Sequence, residues 1–163
     1  MMDASRKTAR VVQINVNPQG GVPKHAIART EVTRNGVVGD KQRDRRIHGG
    51  PERAVSLYSY EHIQALQREG HTIVPGAAGE NLTISGLEWA ALQPGDRLRI
   101  GDRLRIEISG YVTPCANIAE CFASGAIQRV AQKVNPGWSR LYARVLSEGP
   151  VAEGDSVAWD VGE

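Results

Sequence analysis

The sequence predicts a mainly β domain, closed or nearly closed into a β-barrel, with a few helices. Short apolar and alternating runs recur along the chain, and glycine or proline punctuates nearly all of them. Helical patterns are too few for an alternating α/β chain. Closure is expected because many short strands otherwise leave unpaired edges.

The elements follow in order. Arg10 to Val16 reads as the first strand, followed by Ala26 to Val32 and Ala54 to Tyr58. Tyr60 to Glu69 reads as a helix: Ile63 and Leu66 share a face, Ser59 can cap its start and Gly70 can stop it. Strands are predicted at Asn81 to Ile84, Arg97 to Ile100 and Arg103 to Ser109. Gly95-Asp96-Arg97-Leu98-Arg99-Ile100 is echoed by Gly101-Asp102-Arg103-Leu104-Arg105-Ile106, which we read as a hairpin around Gly101-Asp102, since the echo ends after one unit. Asn117 to Val134 is predicted helical with a break near Gly125. Leu141 to Leu146 and Ser156 to Trp159 complete the strands.

With 163 residues and 40% hydrophobic side chains, the chain suits one compact domain burying roughly 70% of its unfolded surface. We place that domain at 11–163 and an N-terminal extension at 1–10. No apolar run approaches the ~20 residues of a membrane helix, and Met1 to Lys7 lacks the apolar core of a secretory signal. The 2 cysteines, Cys115 and Cys121, are too few for a disulfide scaffold, a four-cysteine zinc site or an iron–sulfur cluster, so a cytoplasmic setting is expected. The net charge of +2 is small. Lys41-Gln42-Arg43-Asp44-Arg45-Arg46 concentrates positive charge, as either a solvated loop or an anion-attracting rim. No aromatics interleave with it, and nucleic acid is not an expected partner.

Thr113-Pro114-Cys115 places a thiol between a strand-like and a helix-like run. At a helix N-terminus such a thiol gains thiolate character and can attack an electrophile or bind a soft metal. The alternative is a buried cysteine acting as a small hydrophobe. Cys121, six positions on, reads as core.

Glycine-bearing clusters occur at Gly20-Gly21-Val22-Pro23-Lys24, Gly39-Asp40, His48-Gly49-Gly50 and Pro75-Gly76-Ala77-Ala78-Gly79-Glu80-Asn81. None is a P-loop or dinucleotide fingerprint, and each alone is an ordinary turn. The polar residues attached to them suggest more. Lys24 supplies a point charge for phosphate, His48 a titratable donor or ligand, and Asn81 an amide for a heterocycle. Together they fit a polyanionic, nitrogen-rich cofactor. Arg140, Tyr142 and Arg144 alternate onto one face of a strand, which either meets solvent or lines a barrel mouth where two guanidiniums grip phosphate.

In order and spacing these clusters, with Ala54-Val55-Ser56-Leu57-Tyr58, Gly95-Asp96, Thr113-Pro114-Cys115 and Gly154-Asp155, resemble the MOSC domain, the C-terminal domain of molybdenum cofactor sulfurases. The resemblance runs from about Val11 to Val157. It implies a barrel of the pyruvate-kinase-barrel-like type with the molybdenum cofactor over its mouth. The family cysteine maps onto Cys115. It ligates molybdenum in amidoxime-reducing members and in small bacterial proteins that reduce N-hydroxylated purines, or carries sulfur as a persulfide. Many members have an arginine shortly before the cysteine, where this chain has Tyr111-Val112-Thr113; the Thr-Pro-Cys version resembles short stand-alone members.

The resemblance thus implies Cys115 as metal ligand and catalytic residue, with Lys24, Arg140 and Arg144 on the pterin phosphate. His48, Gly49, Gly50, Asn81 and Thr113 would bind the rest of the cofactor or orient a small-molecule substrate. Flavin and iron–sulfur modules found in some relatives are not recognised here, so a separate electron donor is expected. Two other readings are a sulfur relay, with Cys115 loaded by a cysteine desulfurase, and a non-catalytic cofactor- or anion-binding module. Pyridoxal phosphate is not expected, since Lys24 is the one plausible partner and its Pro23 neighbour gives no support for a Schiff base.

Overall fold

A computed structural model describes residues 8–41 and 50–160. Its strands are β1 (Arg10–Val16), β2 (His25–Ile27), β3 (Arg29–Thr33), β4 (Gly36–Val37), β5 (Val55–Ser59), β6 (Leu82–Ser85), β7 (Arg97–Ile100), β8 (Leu104–Tyr111), β9 (Leu141–Ser147), β10 (Gly149–Ala152) and β11 (Val157–Asp160), with one α-helix, α1 (Tyr60–Arg68). An 8-stranded sheet runs in the order β11, β7, β8, β9, β5, β6, β1, β2, and a 3-stranded sheet in the order β10, β3, β4. The pairing is antiparallel except between β5 and β6, where α1 lies in the crossover.

The architecture is mainly β with few helices, as expected, but neither sheet closes into a barrel. The edge of β1 is divided: Ile14 to Val16 pair with β2, while near Arg10 the chain meets the start of β11 only at the isolated bridge Arg10↔Ser156. Three backbone bonds hold that meeting: Val11 N–H to the Asp155 carbonyl at 2.9 Å, Gly154 N–H to the Val11 carbonyl at 2.9 Å, and Val157 N–H to the Ala9 carbonyl at 3.0 Å. No ladder spans the seam.

Alternation along the strands determines the core. Leu98 and Ile100 of β7, Leu104, Ile106 and Ile108 of β8, and Leu141, Ala143 and Val145 of β9 all face inward and are buried. Each large aliphatic side chain so buried contributes about 1.5–3 kcal/mol relative to exposure. Helix α1 adds Ile63 and Leu66 to the same core. The His62 amide donates to the Ser59 hydroxyl at 3.1 Å, and Gly70 leaves the helix at φ 102°.

Two expected elements are revised. Ala26 to Val32 is split at Ala28, so that β2 joins the large sheet and β3 the small one. Asn117 to Val134 is not an α-helix but three 3-10 segments, Ala116–Cys121, Ala123–Gly125 and Ile127–Val130. The apolar spacing there is real, since Ile118, Phe122 and Val130 are buried. The chain breaks because Phe122 is extended and Ser124 and Gly125 are left-handed, at φ 56° and 66°. Side chains dock this segment instead: Arg129 forms paired bonds of 2.9 and 2.8 Å with Glu69, and Thr72 reaches the Glu120 carbonyl at 3.1 Å.

Ser59 sits at the junction of β5 and α1, and its hydroxyl satisfies an otherwise unpaired helix N–H. Ser59→Ala is expected to lower stability by about 1 kcal/mol in urea unfolding, with the remaining fold retained.

Candidate functional site

The end of β8 presents the thiol. Pro114 has no N–H with which to continue a ladder, and it holds the preceding Thr113 extended. Pro114 is buried, while Thr113 and Cys115 on either side are exposed. Val112 N–H donates to the Arg140 carbonyl at 3.0 Å, which fixes this turn against the start of β9. Cys115, Thr113, Arg140, Tyr142, Lys24 and Gly79 thereby line one cleft of about 100 Å³.

The structure removes the buried-hydrophobe reading of Cys115, which is exposed. It also removes the helix-terminus argument. The residue precedes a six-residue 3-10 segment, has extended backbone angles and makes no cap bond. Cys121 behaves as core: it is half-buried, its sulfur lies 3.5 Å from the Ala77 carbonyl, and burial pushes its thiol pKa up, with the Glu80 charge adding to the effect.

Arg140 is the principal cation of the cleft and is only 8% exposed. Its Nη1 donates to the Ala78 carbonyl at 2.6 Å, while its Nε has no hydrogen-bond partner. Glu80, fully buried behind the cleft, accepts from the Gly76 amide at 3.0 Å and from the Thr83 hydroxyl at 2.8 Å, leaving Oε1 unpartnered. Burial raises the Glu80 pKa, against the pull of those two bonds and of Arg140. Burial likewise lowers the Arg140 pKa, and the Glu80 charge opposes that shift, so each of the two groups favours the charged form of the other.

Lys24 also lines the cleft, but its ammonium is already paired with Asp40. Asp40 is held in turn by the Asn17 amide at 2.8 Å and the Asn81 side-chain amide at 2.9 Å. The Asn81 side chain is thus committed to protein partners. Its amide nitrogen also donates to the Asn15 carbonyl at 3.2 Å, its Oδ1 accepts from Ser56, and the whole residue is buried. Gly76 bears on Lys24 directly. It adopts φ +86°, accepts from the Lys24 amide at 2.9 Å, and has no room for a Cβ against the Lys24 carbonyl.

Thr113 lines the cleft. Arg144 does not, although it shares the face of β9 that carries Arg140 and Tyr142: its Nε binds Glu52 at 3.0 Å and its Nη1 binds Glu107 at 2.6 Å. Gly50, at φ 92°, turns the chain into the 3-10 segment Pro51–Arg53 and is not among the cleft residues. His48 and Gly49 lie outside the described residues, as does the basic stretch beyond Lys41, which itself lies at the exposed rim. Asp40, Glu80 and Tyr142 were given no role by sequence. The motifs Gly39-Asp40 and Gly79-Glu80-Asn81 were the available signal for the first two.

Among the described residues no three His, Cys, Asp or Glu side chains cluster around a common point. The donor set that does converge is a soft thiol, a buried guanidinium with an unused N–H, and glycine-rich backbone. It fits an anionic cofactor carrying a soft metal that brings most of its own ligands. No described helix is long and apolar enough to cross a membrane.

Comparison with known proteins finds related sequences and structures. The sequence pattern of the family described as MOSC domain matches residues 44–158. The chain is 35% identical over 122 residues to YflK of Bacillus subtilis, covering 74% of this chain and 54% of that protein. It is 33% identical over 151 residues to YiiM of Escherichia coli, covering 86% of this chain and 65% of that protein. The chain thus spans between half and two thirds of these relatives. A Gibberella moniliformis protein named "Reductase" is 30% identical over 128 residues, covering 76% of this chain and 22% of its own length. Among solved structures, YiiM of Geobacillus stearothermophilus superposes with a TM-score of 0.71 at 25% identity, covering 93% of this chain and 74% of that one. The Bacillus subtilis YUAD protein gives 0.73 at 19% identity, covering 93% and 94%, a likeness of fold alone.

Two expectations follow. Because burial raises Glu80 above the ordinary value of 4.5, the folded chain keeps that proton where the unfolded chain has lost it. Its contribution is undiminished below 4.5 and declines as pH rises toward the folded value. Urea unfolding of wild type and Glu80→Gln across this range should therefore show a decline in wild type that the variant lacks. Alkylation with iodoacetamide followed by mass mapping should label Cys115 well before Cys121, and Cys115→Ser should abolish the fast phase.

Proposed function

We propose, from the premise that this chain belongs to the MOSC domain family, that its cleft holds a molybdenum cofactor with Cys115 as the protein's metal ligand and that it reduces N-hydroxylated compounds. The observation that carries this reading is the exposed Cys115 sulfur sharing a cleft with Arg140, whose buried guanidinium retains an unused N–H. The relative named as a reductase supports the reaction class.

The chain's residues have separable tasks. Cys115 offers a thiolate to the metal. Arg140 offers a charge-assisted hydrogen bond to a phosphate, with geometry set by the Ala78 carbonyl. Lys24 contributes direction more than net charge, because Asp40 neutralises it. Thr113 and the Gly79 backbone shape the wall beside the thiol. When bound, the cofactor supplies the two-electron chemistry. The overall reaction converts R–NH–OH, two electrons and two protons into R–NH2 and water, with the electrons delivered by a separate donor.

A second reading is favoured by the exposure of Cys115. In it Cys115 carries sulfur as a persulfide from a cysteine desulfurase. Elemental analysis and pterin fluorescence on gently purified protein separate the two. Stoichiometric molybdenum that is lost in Cys115→Ser supports the cofactor reading; a Cys115 persulfide without metal supports the relay. Under the first, Arg140→Met is expected to weaken cofactor retention roughly tenfold or more, the scale of a lost charge-assisted hydrogen bond.

A further inference from the structure

Tyr142 follows Arg140 on the cleft face of β9 and lines the same cleft as Cys115. Its hydroxyl bonds no other residue among those described, whereas the buried Tyr58 hydroxyl donates to the Trp138 carbonyl at 2.7 Å. The Arg53 guanidinium carbon lies 5.1 Å from the Tyr142 ring centroid, which braces the ring through a cation–π contact. A half-buried phenol fixed on a strand, with its O–H uncommitted in the cleft that Cys115 also lines, has no structural duty among the described residues.

The proposed reaction creates a need for such a group. The hydroxyl oxygen leaving nitrogen must acquire one proton to depart as water. Among the described cleft residues, Arg140 does not give up its proton, Lys24 is held by Asp40, and Lys41 stands at the exposed rim. The hydroxyls of Ser56 and Thr113 are far weaker acids, and the Ser56 hydroxyl already serves the Gly79 carbonyl at 3.2 Å.

Resting on the reductase reading, we propose that Tyr142 is the proton donor to the departing oxygen. As the N–O bond of R–NH–OH breaks, the Tyr142 O–H bond breaks with it and the proton passes to that oxygen. Two electrons come from the external reductant, a second proton from water reaches the nitrogen, and the tyrosinate recovers its proton from solvent at the cleft mouth. The products are R–NH2 and water.

The test uses molybdenum-loaded wild type, Tyr142→Phe and the off-cleft control Tyr111→Phe, with 6-hydroxylaminopurine as substrate and reduced methyl viologen as donor. Three quantities are read: molybdenum per chain, substrate Kd from tryptophan fluorescence, and kcat. Tyr142→Phe is expected to keep its metal and substrate affinity while kcat falls at least about 100-fold, with Tyr111→Phe unaffected. An unchanged kcat in a fully loaded Tyr142→Phe overturns the assignment and leaves the reductase reading standing. A wild type that carries no molybdenum and reduces nothing overturns both.

Discussion

Placing the Arg140 charge in the protein interior is the constraint around which the cleft is organised. A guanidinium that is 8% exposed has lost most of its hydration and needs partners in return. The chain supplies one strong acceptor, the Ala78 carbonyl, and sets the Glu80 carboxyl behind it in surroundings that disfavour ionisation. Coulomb interactions with the Arg140 charge are less screened in the cleft than at the surface. The same bond fixes the Ala78 to Gly79 backbone, so the shape and the electrostatics of that wall have one origin.

Lys24 follows the opposite logic. Asp40 answers its charge, Asn81 and the Asn17 amide hold Asp40, and Asn81 is anchored through Ser56 and the Asn15 backbone. Three glycine-bearing segments, distant in sequence, are tied together by this chain of polar contacts. Sequence reading treated their polar residues as separate ligands. Lys24 and Asn81 are instead both ligands of Asp40, and Lys24 and Ser56 carry the arrangement to the cleft.

Much of the fold was legible because period-two patterns survive folding. Arg10–Val16 and Arg97–Ile100 form strands over the predicted residues, and Ser59 and Gly70 bound α1 as their chemistry requires. Elements with little pattern escaped: Gly36–Val37 is too short to show alternation, and Gly149–Ala152 contains Pro150, which the edge position of β10 in its sheet tolerates. The segment after Cys115 displayed helical spacing that a few residues near Ser124 interrupt. At the site, the common face of Arg140, Tyr142 and Arg144 was legible, but their separate fates were not. Glu52 and Glu107, which take up Arg144, come from distant positions, and no local rule names them.

The 3-10 segments from Ala116 onward give the cleft two mechanically unlike sides. Its floor, with Arg140 and Tyr142, is continuous with sheet ladders; its other wall, with Asn117 and Ile118, is held by the buried Ile118, Phe122 and Val130 and by clasps such as Arg129 to Glu69 and Thr72 to the Glu120 carbonyl, without a ladder. Such clasps open at lower free energy than a strand leaves a sheet. Compliance is therefore one-sided: a guest that differs in bulk displaces the clasped wall, while the charge beneath it keeps its aim.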